Sequence, residues 1–219
     1  MLCSATLACK LSSNCCKAWR ICASLQPSSR ASSSVSCKNC CNSAATLEVP
    51  EMALDAVRPG QIIAGMYPSL EVKRSIAVKP CFEFKTAIGL IRELPPGTGV
   101  SYGLDYVTAG YERIAQLPVG YADGYFRELW NKGADVLVGG VRCPVVGRIC
   151  MDQVMVNVTA VPEASVGDEV VLIGRQGGEE ITLEELSGKI GTLACVPPSL
   201  ISKRVPRVYI DRGSQELNL

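Results

Sequence analysis

Residues 100–153 have the sequence VSYGLDYVTAGYERIAQLPVGYADGYFRELWNKGADVLVGGVRCPVVGRICMDQ, and the rest of the chain is organised around them. This stretch holds three short motifs: Val-Ser-Tyr-Gly at 100–103, Leu-Pro-Val-Gly-Tyr-Ala-Asp-Gly at 117–124, and Gly-Arg-Ile-Cys-Met-Asp-Gln at 147–153. Each motif places a potentially reactive side chain beside a glycine or a chain reversal. Loops of this kind often carry binding and catalytic residues, so the stretch is the candidate functional region.

The residues around this stretch predict a domain of short strands and turns. The Gly139-Gly140 pair lies between two apolar runs and predicts a two-residue hairpin. Thr182-Leu183-Glu184-Glu185 fits a capping box that opens a helix ending at about Lys189. Many short strands with one helix indicate a mainly β domain, barrel-like or a sandwich. The predicted strands are 75–79, 81–85, 135–138, 141–146, 154–158, 169–173 and a final edge strand at 205–210.

The composition is that of a folded globular protein and excludes several kinds of partner. The 219 residues are 47% hydrophobic and 20% charged, which predicts one or two domains with a buried core. The net charge of +1 indicates neither a nucleic-acid nor an anionic membrane partner. No apolar run reaches the roughly 18–20 residues that span a bilayer. The chain has no histidine, the commonest metal ligand, and no metal site is predicted.

Residues 1–38 differ in composition from the rest of the chain. Eight of the 12 cysteines lie at or before Cys41, and no acidic residue precedes Glu48. Three interpretations of this segment stay open. A targeting segment would be rich in Ser and Arg and poor in acids. A disulfide or zinc module is the second, although Cys37-x-x-Cys40 stands alone. A translated artefact joined to real sequence near Asn39 is the third.

Residues 39–70 predict a small α/β region. Asn42 to Leu47 is expected to be a strand end followed by a short helical turn, with Ser43 near the helix start. Leu54 to Gly60 is expected to be a short strand that closes in a turn, and Ile62 to Met66 a helix. On residue type alone, Ser43 is interpreted as a helix cap and Arg58 as a solvated charge.

The three motifs resemble those of the C-terminal domain of alanine racemase, an enzyme that uses pyridoxal phosphate. Asn39 to Ala45, followed by Val57 to Gly60, is similar to the last two strand–loop units of the (β/α)8 barrel in the same family. The resemblance implies three parts: an unassigned segment 1–38, a remnant of the cofactor-binding barrel at 39–70, and a mainly β, barrel-like C-terminal domain at 71–219.

The resemblance also implies roles in racemisation, which needs two bases on opposite faces of the substrate. Tyr102 corresponds to the catalytic tyrosine of the family, which reaches across a dimer interface; the other base is the Schiff-base lysine. The backbone N–H of Met151 corresponds to a donor to the substrate carboxylate, and Tyr121 to a residue of the site entrance. Cys150 and Asp152, on either side of Met151, are the remaining substrate-binding candidates.

The resemblance implies a pyridoxal 5'-phosphate site in the residues before the β domain. Ser43 and the backbone at Gly60 and Gln61 correspond to phosphate ligands. Arg58 corresponds to an arginine that faces the pyridine nitrogen and keeps it unprotonated, which favours racemisation over side reactions. Lys203 stands where some family members have a phosphate-contacting tyrosine, and its charge could serve phosphate.

The implied activity is the interconversion of L- and D-alanine for cell-wall D-alanine supply, in a cytoplasmic homodimer whose site is shared across the interface. The sequence contains no counterpart of the lysine motif Ala-Val-Val-Lys-Ala-Asn-Ala-Tyr-Gly, nor of the arginine and histidine that stabilise the tyrosine anion. A partial racemase is therefore the first hypothesis. A non-catalytic β module that dimerises or binds a partner chain is the second. A racemase of serine or another small amino acid is the third.

Overall fold

The computed structural model describes residues 41–53, 55–69 and 71–210. These residues fall into two compact units, the first ending at Cys81 and the second starting at Phe82. The hypotheses on residues 1–38 and on Cys37-x-x-Cys40 concern residues outside the described ranges, as does Asn39. The predicted domain limits at 38/39 and 70/71 stay predictions.

The described part of the first unit contains a short helix, α1 (Ser43–Glu48), followed by a 3-10 turn at Pro50–Met52. Cys41, just before α1, forms a parallel bridge with Val57, and the Arg58 N–H donates to the Cys41 carbonyl at 2.7 Å. Parallel pairing on either side of a helix is the connectivity of one unit of a (β/α)8 barrel. The predicted barrel remnant is thus present, and it is minor.

The core of the first unit is small and apolar. A cluster of small buried side chains and Val72 lets α1 approach its neighbours closely, and two longer side chains cover it. The cluster consists of Cys41, Ala44, Ala45 and Val72, covered by Leu47 and Met52. Val49 and Met66 are buried as well.

Four predictions for this unit are corrected by the structure. The helix cap is Asn42, whose Oδ1 accepts from the Ala45 N–H at 3.0 Å, and Ser43 is the first helical residue. In the predicted strand 54–60, Val57 is the only bridged residue among the described positions 55–60, and Pro59 has no N–H for a ladder. Residues 61–65 form turns rather than a helix, and residues 75–79 form no strand.

Gly65 explains why residues 62–66 do not continue as a helix. Its φ of +74° lies in the left-handed region, and a Cβ built there would stand 1.8 Å from the Lys79 carbonyl oxygen. The chain reverses at this glycine because only glycine combines that φ with such a close backbone neighbour.

The second unit consists of antiparallel sheets, which confirms the mainly β prediction. One sheet has the order β1-β9-β6-β7 with β10 paired to β9, a second has the order β2-β5-β8, and β3 pairs with β4. The strands are β1 (Phe84–Ala87), β2 (Leu90–Leu94), β3 (Gly99–Val100), β4 (Tyr106–Val107), β5 (Glu112–Leu117), β6 (Asp135–Val138), β7 (Val141–Pro144), β8 (Val154–Asn157), β9 (Glu169–Gln176) and β10 (Glu179–Ile181).

Burial along the strands follows from their places in the sheets. In β9, Val170, Val171 and Leu172 are all fully buried, because this strand lies between β1 and β6 with both faces covered. In β8, Val154 and Val156 are buried while Met155 and Asn157 are half-buried, as the alternating pattern predicts.

The β6–β7 hairpin and the second helix confirm two further predictions. Gly139 and Gly140 form the two-residue turn with φ of +58° and +80°, the positive values that a type I′ turn requires. Helix α2 (Leu183–Ile190) begins after Thr182, whose hydroxyl accepts from the Glu185 N–H at 3.0 Å. A third short helix, α3 (Val196–Leu200), follows.

The edge strand predicted at 205–210 does not form, although Tyr209 makes a single β-bridge. The guanidinium of Arg207 donates to the carbonyls of Ile201, Ser202 and Val205, so the segment before it folds back on itself instead of extending along a sheet. Other strand limits shift. The strand predicted at 81–85 is β1, which begins at Phe84 and ends at Ala87, and β9 continues to Gln176. The strands predicted at 141–146 and 154–158 end earlier, at Pro144 and Asn157. Within the described residues, no helix is long and apolar enough to cross a membrane.

Candidate functional site

The first motif forms a tight turn that presents Tyr102 to solvent. Ser101 has φ +65°, Gly103 +80° and Leu104 +51°, so the chain reverses sharply between β3 and β4. The Tyr102 side chain is 71% exposed. A Cβ on Gly103 would lie 2.8 Å from Asp105 Oδ2, which leaves no room for a larger residue there without movement.

The third motif packs directly against this turn. The Ser101 hydroxyl donates to the Arg148 carbonyl at 2.6 Å. A Cβ on Gly147 would stand 2.7 Å from the Val100 carbonyl oxygen, so the glycine permits the close approach of the two backbones. Arg148 also donates to Asp105 at 2.5 Å, and its guanidinium lies 5.8 Å from the centre of the Trp130 ring.

The second motif packs against the other side of the third. The N–H groups of Tyr121 and Ala122 donate to the carbonyls of Cys150 and Met151 at 3.1 and 3.0 Å. A Cβ on Gly120 would lie only 2.2 Å from the Met151 carbonyl oxygen. Glycine is therefore required at residue 120, and the three motifs form one contiguous set of loops, here called the motif cluster (residues 100–105, 120–124 and 147–152).

A salt bridge that sequence reasoning missed closes the motif cluster. Asp123 is 9% exposed; its Oδ2 accepts from the Gly120 N–H at 2.8 Å and its Oδ1 from Arg204 Nε at 2.7 Å. The same guanidinium donates through Nη2 to Asp152 Oδ1 at 2.5 Å. The hydrogen bonds to Asp123 and then to Asp152 raise the pKa of Arg204 above its ordinary value. Arg204 follows Lys203, which was the predicted candidate, and Lys203 is exposed.

The base of the Tyr102 turn is fixed by a second polar group. Tyr106, which pairs with Val100, donates its hydroxyl to Glu112 Oε2 at 2.6 Å, and Asn157 donates to the same carboxylate oxygen at 2.9 Å. Burial, and next the hydrogen bond to Glu112, raise the pKa of Tyr106. Tyr106 therefore stays a neutral donor and anchors β4 to β5 and β8.

The motif cluster presents groups that can transfer a proton and bind a carboxylate. Tyr102, Tyr121 and Met151 are all exposed large side chains on loops that contact one another. Among the hydrogen bonds of the described residues, none uses the Met151 N–H as donor, so this group can bind an acceptor from outside. Cys150 is half-buried with its sulfur 3.5 Å from the Ser101 hydroxyl, and Asp152 is held by Arg204.

In the first unit, two cofactor candidates are joined by a hydrogen bond. The Gly60 N–H donates to the Ser43 hydroxyl oxygen at 2.9 Å, so in this structure the predicted backbone donor is already used. The Ser43 hydroxyl keeps its own proton for donation. Gln61 has a buried Nε2 with no hydrogen-bond partner, and nothing lies within 4 Å of a Cβ placed on Gly60. Two such donors beside open space suit the oxygens of an anion such as phosphate. Arg58 is exposed.

The motif cluster contains the carboxylates of Asp105, Asp123 and Asp152 and the thiol of Cys150, which are possible metal-ligand types. Within the part of the chain that the structure describes, there is no group of three or more His, Cys, Asp or Glu residues able to hold a metal ion.

Comparison with known proteins gives matches over most of the chain. Residues 81–209 match the family described as alanine racemase, C-terminal domain. The chain is 48% identical over 172 residues to the alanine racemase of Halothermothrix orenii, covering 78% of this chain and 45% of that protein. It is 47% identical over 174 residues to the alanine racemase of Desulfovibrio desulfuricans, covering 80% and 46%. The chain spans about half the length of the curated relatives it matches.

Solved structures give the same result for the fold. The structure of alanine racemase from Clostridium difficile 630 in complex with cycloserine matches with a TM-score of 0.74 and 42% identity, covering 81% of this chain and 47% of that one. The alanine racemase from Bacillus anthracis with bound L-Ala-P matches with a TM-score of 0.76 and 38% identity, covering 81% and 46%. The sequence matches and the structure matches therefore cover about the same share of this chain.

Proposed function

The chain belongs to the alanine racemase C-terminal domain family, and we propose that it supplies one half of the machinery that interconverts L- and D-alanine. The observation that carries this proposal is the motif cluster. Three loops, distant in sequence, are held together by backbone hydrogen bonds and by the Ser101 hydroxyl, and they present the exposed side chains of Tyr102, Tyr121 and Met151.

Tyr102 is the proton-transferring residue in this proposal. Racemisation removes the α-proton on one face of the substrate and returns a proton on the other, so it needs two bases. The phenol oxygen of Tyr102, 71% exposed at the tip of its turn, serves one face. The base for the other face is a lysine of another polypeptide or segment, since none of the 219 residues matches the lysine motif.

Met151 binds the substrate carboxylate in this proposal, through its backbone N–H. The hydrogen bonds from Tyr121 and Ala122 to the neighbouring carbonyls fix the direction of that peptide group. Tyr121, 41% exposed beside it, lines the entrance, and Cys150 and Asp152 complete the loop. The Arg204 salt bridges to Asp123 and Asp152 hold this loop in place.

The residues of the first unit fit the phosphate end of pyridoxal 5'-phosphate. Ser43 and Gln61 supply donors for the phosphate oxygens, with Gly60 leaving the space open. Arg58 is proposed for the pyridine nitrogen, and Lys203 for a charge near phosphate. When bound, the cofactor would delocalise the negative charge that remains on the substrate α-carbon after proton removal.

A partner chain completes the site in this proposal. A separate lysine-bearing barrel supplies the missing base, because a second copy of this chain also lacks the lysine motif. A homodimer is proposed for the interface across which the site is shared. The D-alanine formed would serve cell-wall synthesis, and the cytoplasm is the proposed location.

The test is reconstitution with a lysine-bearing barrel. The chain is mixed with the purified barrel domain of the Halothermothrix orenii alanine racemase and pyridoxal phosphate, and conversion of L- to D-alanine is measured with a coupled D-amino-acid oxidase assay. Activity is expected only in the mixture. The Tyr102→Phe variant should lower kcat by about 10²- to 10⁴-fold, the usual size of a general acid–base contribution.

Tyr111→Phe is the matched control, because Tyr111 is an equally exposed tyrosine outside the motif cluster and its change should leave the rate unaltered. Association of the two proteins without turnover would overturn the proposal and favour a non-catalytic β module. A parallel assay with L-serine identifies the substrate: faster turnover of serine than of alanine would contradict the alanine assignment.

A further inference from the structure

We propose that Ser101 is a positioning residue, which holds the Tyr102 turn at a fixed distance from the Cys150–Met151 loop. This inference rests on the proposed function of Tyr102 and Met151 and deepens it. Neither residue type nor motif position identifies Ser101 as functional; its backbone conformation does.

The backbone of Ser101 is strained. Its φ of +65° with ψ of −176° lies in a region that is essentially restricted to glycine, and such a residue costs about 1–3 kcal/mol. Ser101 and Leu104 are the two non-glycine residues with positive φ among the described residues, and they flank Tyr102 and Gly103. A glycine at position 101 would remove the strain, so the serine side chain must contribute something that a glycine cannot.

The contribution is a hydrogen bond between two loops of the motif cluster. The Ser101 hydroxyl donates to the Arg148 carbonyl at 2.6 Å. The Cys150 Sγ lies 3.5 Å from the Ser101 hydroxyl oxygen. Because a serine has one O–H proton, the oxygen can give it to Arg148 and still accept from the Cys150 thiol. The Ser101 hydroxyl therefore contacts both Arg148 and Cys150, the residues before and after Ile149.

Gly147 makes this contact sterically possible. A Cβ on Gly147 would stand 2.9 Å from the Ser101 Cβ and 2.7 Å from the Val100 carbonyl oxygen. The serine and the glycine thus form a matched pair across the interface of the two loops. The closeness of the loops depends on both.

The consequence is a fixed geometry for the two proposed functional groups. Tyr102 is one residue beyond Ser101, and Met151 is one residue beyond Cys150. A bond from Ser101 to the Arg148–Cys150 segment therefore sets the separation between the Tyr102 phenol and the Met151 N–H with few rotatable bonds between them. Displacements of about 1 Å can cost on the order of 100-fold in rate when a reacting group must be aligned.

The test separates positioning from mere stability with Ser101→Gly, because this change relieves the strain while it removes the hydroxyl. In the full chain, amide hydrogen exchange should increase at least about tenfold at Leu104 and Cys150, whose N–H groups donate to the Ser101 and Gln153 carbonyls. The thermal midpoint should equal or exceed that of the parent. Ser199→Ala is the control: it removes a similar bond, from Ser199 Oγ to the Val196 carbonyl, outside the cluster. Parent-like exchange at both loops in Ser101→Gly would overturn the proposal.

A second measurement uses the reconstituted racemase and α-deuterated alanine. In Ser101→Gly, kcat should fall by about 10- to 100-fold, and the substrate deuterium isotope effect should increase in one reaction direction only, the one in which Tyr102 removes the proton. A rate loss with unchanged isotope effects in both directions would contradict the positioning role. If the parent mixture shows no turnover, the proposed function fails while the exchange experiment still decides whether Ser101 couples the loops.

Discussion

Asp123 and Asp152 share one guanidinium, yet their surroundings differ. The Asp123 side chain is 12% exposed and accepts a second bond from the Gly120 N–H, whereas the Asp152 side chain is 57% exposed. Exposed ion pairs contribute little because water already solvates both charges. Removing an acceptor from a buried donor leaves that donor without a partner, which is costly. The two carboxylates therefore have different roles despite their common partner, Arg204.

We expect Asp123→Ala to lower the free energy of unfolding by about 2–4 kcal/mol, because the buried Gly120 N–H loses its acceptor. Asp152→Ala is the matched comparison and should cost no more than about 1 kcal/mol. Urea denaturation of both variants measures the difference. Equal losses of stability in the two variants would show that the shared Arg204 guanidinium, and not burial, determines how much each carboxylate contributes to stability.

Cys143 predicts a specific dependence of stability on alkaline pH. The residue is fully buried in β7, and burial, then the nearby Asp135 charge, raise its pKa to about 11 from an ordinary value of 9.0. Between these values the unfolded chain has lost the thiol proton while the folded chain keeps it. The stabilising contribution of the protonated thiol is thus complete below pH 9 and declines as pH rises toward 11.

The measurement is chemical denaturation from pH 8 to 11, comparing the parent with Cys143→Ala. The variant should start less stable, because the change leaves a small cavity, and should lose less stability with rising pH. Cys81→Ala is the control, because Cys81 is exposed. An identical pH slope in Cys143→Ala and the parent would contradict the assignment.

For individual residues, the sequence predicted the members of the three motifs but not the contacts that hold the motifs together. Tyr102, Tyr121 and Met151 belong to short local patterns. The Arg204 bond to Asp123 joins residues 81 positions apart, and the Ser101 bond to Arg148 joins residues 47 positions apart. Neither contact leaves a local pattern, so a single sequence cannot reveal it. The position of Arg204 next to Lys203 was the one available signal.

The elements of the chain show which patterns are sufficient by themselves. The β6–β7 hairpin and the Thr182 cap were predicted correctly, because both depend on residues within a few positions of one another. Residues 205–210 have a strand-like composition, yet a strand also needs a partner edge. Here Arg207 donates hydrogen bonds to three carbonyls of the preceding segment, and pairing is limited to a single bridge at Tyr209.

The hairpin allows a test of turn chemistry. Gly139 has φ +58° and ordinary space around it, with Val161 Cγ1 3.6 Å from a Cβ built there. Gly139→Asn should be almost neutral, since Asn-Gly is favoured in type I′ turns. Gly139→Val should cost about 1–2 kcal/mol, because a β-branched residue resists the left-handed region. Thermal unfolding of the two variants gives the comparison, and equal destabilisation would indicate a steric rather than a conformational cause.

For the molecule as a whole, the resemblance identified the family and the mainly β fold, and the comparisons confirm both. The limits of the first unit were harder to predict. The apolar cluster around its described helix consists mostly of small side chains, and Val72 in this cluster comes from outside the helix and strand that the sequence indicated. Small cores leave weak patterns because few positions must be apolar.

The chain alone should not bind pyridoxal phosphate covalently at a defined lysine, since none of its lysines lies in the expected motif. Incubation with the cofactor, borohydride reduction and peptide mass mapping is the measurement. Low, scattered modification is expected. Stoichiometric labelling of one lysine in this chain would contradict the proposal that another polypeptide or segment supplies that base.

The strand order β1-β9-β6-β7 has a consequence for how the domain forms during synthesis. β1 ends at Ala87 and its neighbour β9 begins at Glu169, so ribosomal elongation at roughly 5–20 residues per second separates them by about 4–16 seconds. During that interval β1 lacks its partner strand, and from the synthesis of β6 onward the edge of β6 that faces β9 is also unpaired. Open edges pair readily with other chains. The nascent domain is therefore most exposed to misassembly, and most dependent on chaperones, just before β9 leaves the exit tunnel.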